Sequence, residues 1–160
     1  GLELHPDKTR LIEFGRCAIE TRRRRGLGKP ETFNFLGFTH SCAKTRKGSF
    51  TVLRQTMRKR WQAKLREVKF VLQQRMHLPI PEQGAYLRAV VMGHNRYYGV
   101  PMNSRALGAF RWGIGLVWWR VLNRRSQGRH IPWARVRHLV MRWTPPPRIC
   151  HGYPRLVRAV

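Results

Sequence analysis

Apolar residues at Met57, Trp61, Leu65, Val68, Leu72 and Met76 recur every three or four positions, a period that an α-helix gathers onto one face. Lys59 and Arg66 fall on the opposite face. Such a stripe is stable only when other elements cover it, and the sequence beyond supplies three. Leu87, Val90, Val91, His94 and Tyr98 share one side of a second helix, which residues 99–101 stop. Asn103 or Ser104 can cap a third helix, whose inner side reads Leu107, Phe110, Ile114, Val117, Trp118 and Val121. Pro132 suits the first turn of a fourth, carrying Trp133, Val136, Val140 and Trp143. Leu78-Pro79-Ile80-Pro81 predicts the end of the first helix. Gly108, Gly113 and Gly115 each weaken the third helix by about 1 kcal/mol relative to Ala, or let another backbone approach it closely.

Before residue 55 short apolar runs alternate with turn residues. Residues 11–14 and 33–39 read as strands, residues 22–30 as a basic loop with glycines, and Lys47-Gly48 as a turn into a strand over 49–53. Residues 33–54 then make a hairpin. The predicted fold class is α+β: a short β-hairpin, too small to bury a core alone, followed by a three- to four-helix bundle. The predicted organisation is a first segment over 1–54, a helical domain over 55–143 and an extended basic tail over 144–160.

Charge decides what such a scaffold meets. Lys and Arg number 33 against 7 Asp and Glu, a formal charge of +26 on 160 residues. A field of that size attracts phosphate, and each phosphate neutralised releases counterions, so the implied partner is nucleic acid. Hydrophobic residues at 42%, with six Trp and seven Phe, separate the chain from a disordered basic tail. No membrane partner is expected, because the most apolar stretch, residues 107–122, is broken by Arg111 and Arg120. Arg22, Arg23, Arg24 and Arg25 form a cationic run that reads as a phosphate contact. Arg124 and Arg125, followed by Ser126 and Gln127, sit where arginine favours a helix dipole and where its fork also grips phosphate. Trp61, Trp118, Trp133 and Trp143 lie on the apolar stripes and read as core. Trp112, Trp119 and Tyr97 fall off those stripes, and either stack on unpaired bases or are buried by a second helix.

Chemistry is harder to find. Phosphoryl transfer by two metals needs converging carboxylates, whereas Glu3, Asp7, Glu13, Glu20, Glu31, Glu67 and Glu82 are isolated. There is no phosphate-cradling Gly-Lys-Ser/Thr loop and no Gly-x-Ser-x-Gly elbow. Cys17, Cys42 and Cys150 lack paired spacing, which argues against a zinc knuckle or a disulfide framework and fits a reducing compartment. His94 reads as a packed histidine, and His138 and His151 have no partner at ligand spacing. The expected chain has no catalytic residue, no metal ligand and no cofactor of its own.

Several stretches resemble the proteins encoded by group II introns, which join a reverse transcriptase to an RNA-maturase domain. Leu2-Glu3-Leu4-His5-Pro6-Asp7-Lys8-Thr9 is similar to the segment that follows the metal-binding strands of the polymerase palm. Phe33-Asn34-Phe35-Leu36-Gly37-Phe38 resembles the next block, the primer grip. Residues 90–101, residues 119–127, Trp133 and Pro147-Arg148-Ile149-Cys150-His151 resemble the maturase, or thumb, domain. The matches run over nearly the whole chain, and their order and spacing carry the specificity. The family's Tyr-x-Asp-Asp strand would lie upstream of Leu2, so the chain is expected to be a C-terminal fragment, inheriting binding without polymerisation.

The resemblance implies that residues 1–54 are the edge of a polymerase palm and residues 55–143 the thumb. Lys8 would lie near the incoming nucleotide, and Phe35, Leu36, Gly37 and Phe38 would position the primer end. Arg58, Lys59, Arg66, Lys69, Arg120, Arg124 and Arg125, with Arg22 to Arg25, are the candidate RNA contacts. The implied partners are intron RNA and an RNA/DNA template–primer, in a bacterial cytoplasm. Mg2+ belongs to the full-length RNA-directed DNA polymerase, for which a homodimer is one arrangement. Two other readings stay open: a free-standing RNA-binding module with no polymerase partner, and a non-functional remnant of a mobile element.

Overall fold

A computed structural model describes residues 9–45, 47–125 and 130–152. The chain divides into two compact units, Gly1–Gln55 and Thr56–Val160. The class is α+β: three strands in one antiparallel sheet, in the order β1-β2-β3, and five helices.

The first unit begins with α1 (Arg16–Arg24), followed by β1 (Phe33–Phe35), β2 (Phe38–Lys44) and β3 (Phe50–Thr56). This corrects three expectations. Residues 11–14 are not a strand, and the side chain of Leu11 is 98% exposed. Arg22, Arg23 and Arg24 are the last turn of α1 rather than a loop. There the cations face the negative end of the helix dipole. Gly26, at φ +66°, closes the helix: its N–H donates to Arg23 O and the Leu27 N–H to Arg22 O at 2.8 Å. The glycines after the arginine run therefore mark a helix stop.

The third correction concerns the sheet. Residues 33–39 are not one strand, because Leu36 and Gly37 both take positive φ (46° and 78°) and form a two-residue hairpin turn. The register pairs Phe35 with Phe38, Asn34 with Thr39 and Phe33 with His40. Thr39 Oγ1 donates to Asn34 Oδ1 at 2.7 Å, and the Phe33 and His40 rings stack at 4.7 Å. A second turn at Gly48 leads into β3, so the hairpin is a three-stranded meander. Phe38 is the one buried side chain among the described residues of this unit.

The second unit holds α2 (Arg58–Gln74), α3 (Ile80–Tyr98), α4 (Ser104–Arg124) and α5 (Trp133–Trp143). The proline run acts differently from expectation. Helix α2 stops at Gln74, and Pro79 is instead the N-cap of α3, with a proline in its first turn, where a missing N–H is harmless. Helix α4 runs through the middle of the core. Its Leu107, Phe110, Ile114, Trp118, Val121 and Leu122 are buried, against Val68 and Leu72 of α2, Leu87 and Val91 of α3, and Val136 and Val140 of α5. Burial of each such side chain contributes roughly 1.5–3 kcal/mol. Two glycines of α4 make room for neighbouring side chains rather than for another backbone: a Cβ at Gly113 would meet Leu65 Cδ1 at 2.6 Å, and one at Gly115 would meet Trp133 and Val140 at 3.1 Å.

Buried polar side chains fasten the loops to this core. Gln83 Nε2 donates to the carbonyls of Arg75, Met76 and Leu78, and Gln83 Oε1 accepts from the Trp118 indole N–H at 2.8 Å. Asn103 gives α4 no side-chain cap and instead ties Thr56 N, Thr56 Oγ1 and Tyr98 O. The described residues beyond α5 have no helix or strand and are tied back to the bundle. Thr144 is buried, Asn95 Nδ2 donates to Pro146 O, and the N–H groups of Cys150 and His151 donate to Gly99 O.

His94 is packed, as its position on the stripe predicts: it is 7% exposed and stacks on Phe110 at 3.7 Å. Burial, with the Lys64 ammonium acting in the same direction, lowers its pKa from 6.5 to about 4. Above pH 6.5 the ring is neutral folded and unfolded, and stability does not depend on it. As pH falls from 6.5 to 4 the unfolded chain takes up a proton that the folded chain refuses. Stability should therefore drop across that window, by up to about 3 kcal/mol, and His94 should contribute no further loss below it. Urea denaturation at pH 7 and pH 4.5 checks this, with His94→Phe expected to remove most of the difference.

Candidate nucleic-acid interface

The packing of α2 beside α4 gathers cations that lie far apart in sequence. Lys69 on α2 and Arg120 and Arg124 on α4 line one surface groove with Trp119, Asn123 and His130. All three cations are exposed. No carboxylate lines the groove among the described residues. Asn123 shapes its wall: Nδ2 donates to Trp119 O and Ile131 O, and Oδ1 accepts from Ile131 N at 2.6 Å. Trp119 is fixed beside it, its indole N–H donating to Ile131 O at 2.8 Å. Edge-on contacts to Trp133 and His130 hold the half-buried Trp119 ring in the same place.

Arg58, Lys59 and Arg66 are exposed on α2. With Lys69 they fall within one sector of the helix by their spacing, which extends the cationic face along α2. Such an array suits the regularly spaced phosphates of a folded RNA, where backbone and 2′-hydroxyls count for more than base identity.

Arg125 stands apart from the groove. Its Nη1 reaches Leu78 O at 3.3 Å and its Nη2 reaches His77 O at 3.5 Å, so its fork covers carbonyls of the loop between α2 and α3. Ser126 and Gln127 lie outside the described residues, as does Lys8.

In the first unit the arginine run is partly neutralised. Arg22 and Arg25 both bind Glu13, Arg24 pairs with Glu20, and Arg22 Nε also donates to Gly28 O. These guanidiniums hold the Glu13 carboxyl below its ordinary range. Arg23 is exposed and has no partner among the described residues. Exposed pairs of this kind are weak, and phosphate oxygens can compete for them. The proposed primer-side residues sit at the β1–β2 turn: Phe35 is 59% and Leu36 66% exposed, Gly37 lies at the bend, and Phe38 points into the sheet's small core. Burial is the main cause, with the Arg54 charge second, of a lowered pKa at the neighbouring His40.

Among the described residues no three His, Cys, Asp or Glu side chains gather into a group that could hold a metal ion. No helix among them is long and apolar enough to cross a membrane. Compared with known proteins, the chain matches no family model, no curated protein and no solved structure.

Neighbouring arginines should therefore behave differently. Arg125→Ala should lower stability by about 1 kcal/mol through loss of its loop bonds, whereas Arg124→Ala should leave the melting temperature unchanged within error. Thermal unfolding of the two single variants measures the contrast.

Proposed function

We propose that the protein binds structured RNA through the cationic face of α2 and α4, as the thumb or maturase portion of a group II intron reverse transcriptase. The observation that carries this reading is the groove of Lys69, Arg120 and Arg124, lined by no carboxylate among the described residues, on a chain of net charge +26. The sequence resemblance to maturases supplies the RNA class. Splicing chemistry then belongs to the intron. The protein's share is to relieve phosphate repulsion while the RNA's tertiary contacts form, and in the full-length polymerase to hold the template–primer. The setting proposed is the bacterial cytoplasm.

Binding should weaken steeply with salt, because each neutralised phosphate releases counterions. Replacing Lys69, Arg120 and Arg124 together by Ala should weaken binding to a folded intron RNA roughly ten- to a hundredfold and reduce the log–log salt slope by about 2 to 3. The fold should be retained, since all three side chains are exposed. Fluorescence anisotropy across a salt series tests both. An unchanged slope would remove the groove from the interface. Equal affinity for intron and unrelated structured RNA would favour the free-standing module instead.

A further inference from the structure

A second groove opens between α4 and α5, lined by the N-terminal half of α4. It has a volume of about 330 Å³, and Arg111, Trp112, Trp133, Arg137 and Met141 are among the residues that line it. The volume lies at the low end for small-ligand clefts, which suits one flat group better than an extended chain. Trp112 is 54% exposed and Met141 60% exposed, so the apolar surface here is open. Trp112 is nonetheless held in place: its ring stands edge-on to Trp133 at 4.9 Å and 70°. Arg111 is fixed too, with Nε donating to Thr144 Oγ1 at 3.0 Å and Nη2 to Thr144 O at 2.9 Å. Arg137 is exposed and has no partner among the described residues. No carboxylate lines the groove among the described residues.

Gly108 adds an independent geometric point. It lies one turn before Trp112 on α4 and lines the same groove. A Cβ there would meet only Pro147 Cγ, at 3.9 Å, so the missing side chain leaves open space rather than room for a packed neighbour. That differs from Gly113 and Gly115, whose bare faces are filled by Leu65, Trp133 and Val140.

From this arrangement we infer that the α4–α5 groove receives one unpaired RNA base, stacked on Trp112, with Arg137 beside it to meet the adjoining phosphate. The inference rests on the RNA-binding reading above and deepens it, by naming the kind of RNA that is preferred. Charge complementarity selects the occupant. A second copy of this chain would bring another +26 to the same face. A continuous duplex hides its base faces within the stack, so only a bulged, looped or terminal base can lie against an indole.

Anisotropy with the full chain tests this on two labelled RNA hairpins, one with a continuous stem and one with a single-nucleotide bulge in the same stem. The wild-type chain should bind the bulged RNA about tenfold more tightly, as one base–aromatic stack allows. Trp112→Ala should abolish that preference and leave continuous-stem affinity within twofold, and Trp112→Phe should keep most of it. Gly108→Leu should also abolish it by filling the groove beside the indole while keeping the indole itself, which decides the matter if Trp112→Ala does not fold. Lys69, Arg120 and Arg124 replaced together by Ala should weaken both RNAs and preserve their ratio. Equal wild-type affinity for the two hairpins overturns the stacking site and leaves the RNA-binding reading standing. A preference that survives in a folded Trp112→Ala chain or in Gly108→Leu also overturns it. Failure to bind either hairpin at low salt overturns both.

Discussion

One buried amide sets the geometry of the helical unit. Gln83 sits near the start of α3, covers three carbonyls after the end of α2, and accepts the indole N–H of Trp118 from the middle of α4. Three helices are thereby tied through a residue that is 1% exposed. Buried backbone carbonyls and a buried indole each need a partner, and leaving one without costs about 1–3 kcal/mol. The sharp turn between α2 and α3 exposes those carbonyls, and the side chain that begins the next helix satisfies them. Because Trp118 and Arg120 belong to the same helix, the bond that seats the core also fixes where the cations stand relative to Lys69.

The bundle has almost no counterions of its own. From residue 56 onward its carboxylates are Glu67 and Glu82 alone, and Glu67 is paired with Lys64. The other described ion pairs lie in the first unit, around Glu13, Glu20 and Glu31. No helix has a side-chain hydrogen bond at its N-cap, and only α3 has an acidic residue in its first turn. Stability in the bundle therefore comes from apolar burial and from hydrogen bonds to uncharged acceptors, including those of Arg111 and Arg125, rather than from ion pairs. That separation lets the outer face be almost uniformly cationic without weakening the core beneath it.

Helical periodicity made the bundle readable. Val68, Leu72, Leu87, Val91, Phe110, Ile114, Trp118, Val136 and Val140 all stand where their spacing puts them, because the requirement to bury a stripe is local and repeated. The first unit was harder, since it has little to bury. Helix α1 hides no side chain and is held by arginines at its C-terminal end, so no apolar period announces it, although Gly26 after four arginines was a usable signal. The Leu36-Gly37 turn was masked by a leucine in a conformation that usually belongs to glycine or asparagine. Among the site residues, the place of Trp112 off the stripe left it either exposed or covered by a second helix, and it is exposed. The hydrogen bond from Trp119's indole N–H to Ile131 could not be read from the sequence, because it joins α4 to the residues just before α5. Likewise nothing in the arginine pair at 124 and 125 foretold that one faces a groove and the other a loop.

The scarcity of carboxylates has a consequence for handling the molecule. Dissolved electrolyte shields like charges from one another, so a concentrated buffer relieves the bundle's internal repulsion while loosening its hold on a polyanion. Robustness and grip thus move in opposite directions along the same axis. A bound polyanion breaks that opposition, since anything held only by the native state also shifts the folding equilibrium toward it. On the proposed RNA-binding reading, preparations stripped of nucleic acid in dilute buffer should be the least durable form of the protein, and those with nucleic acid bound the most.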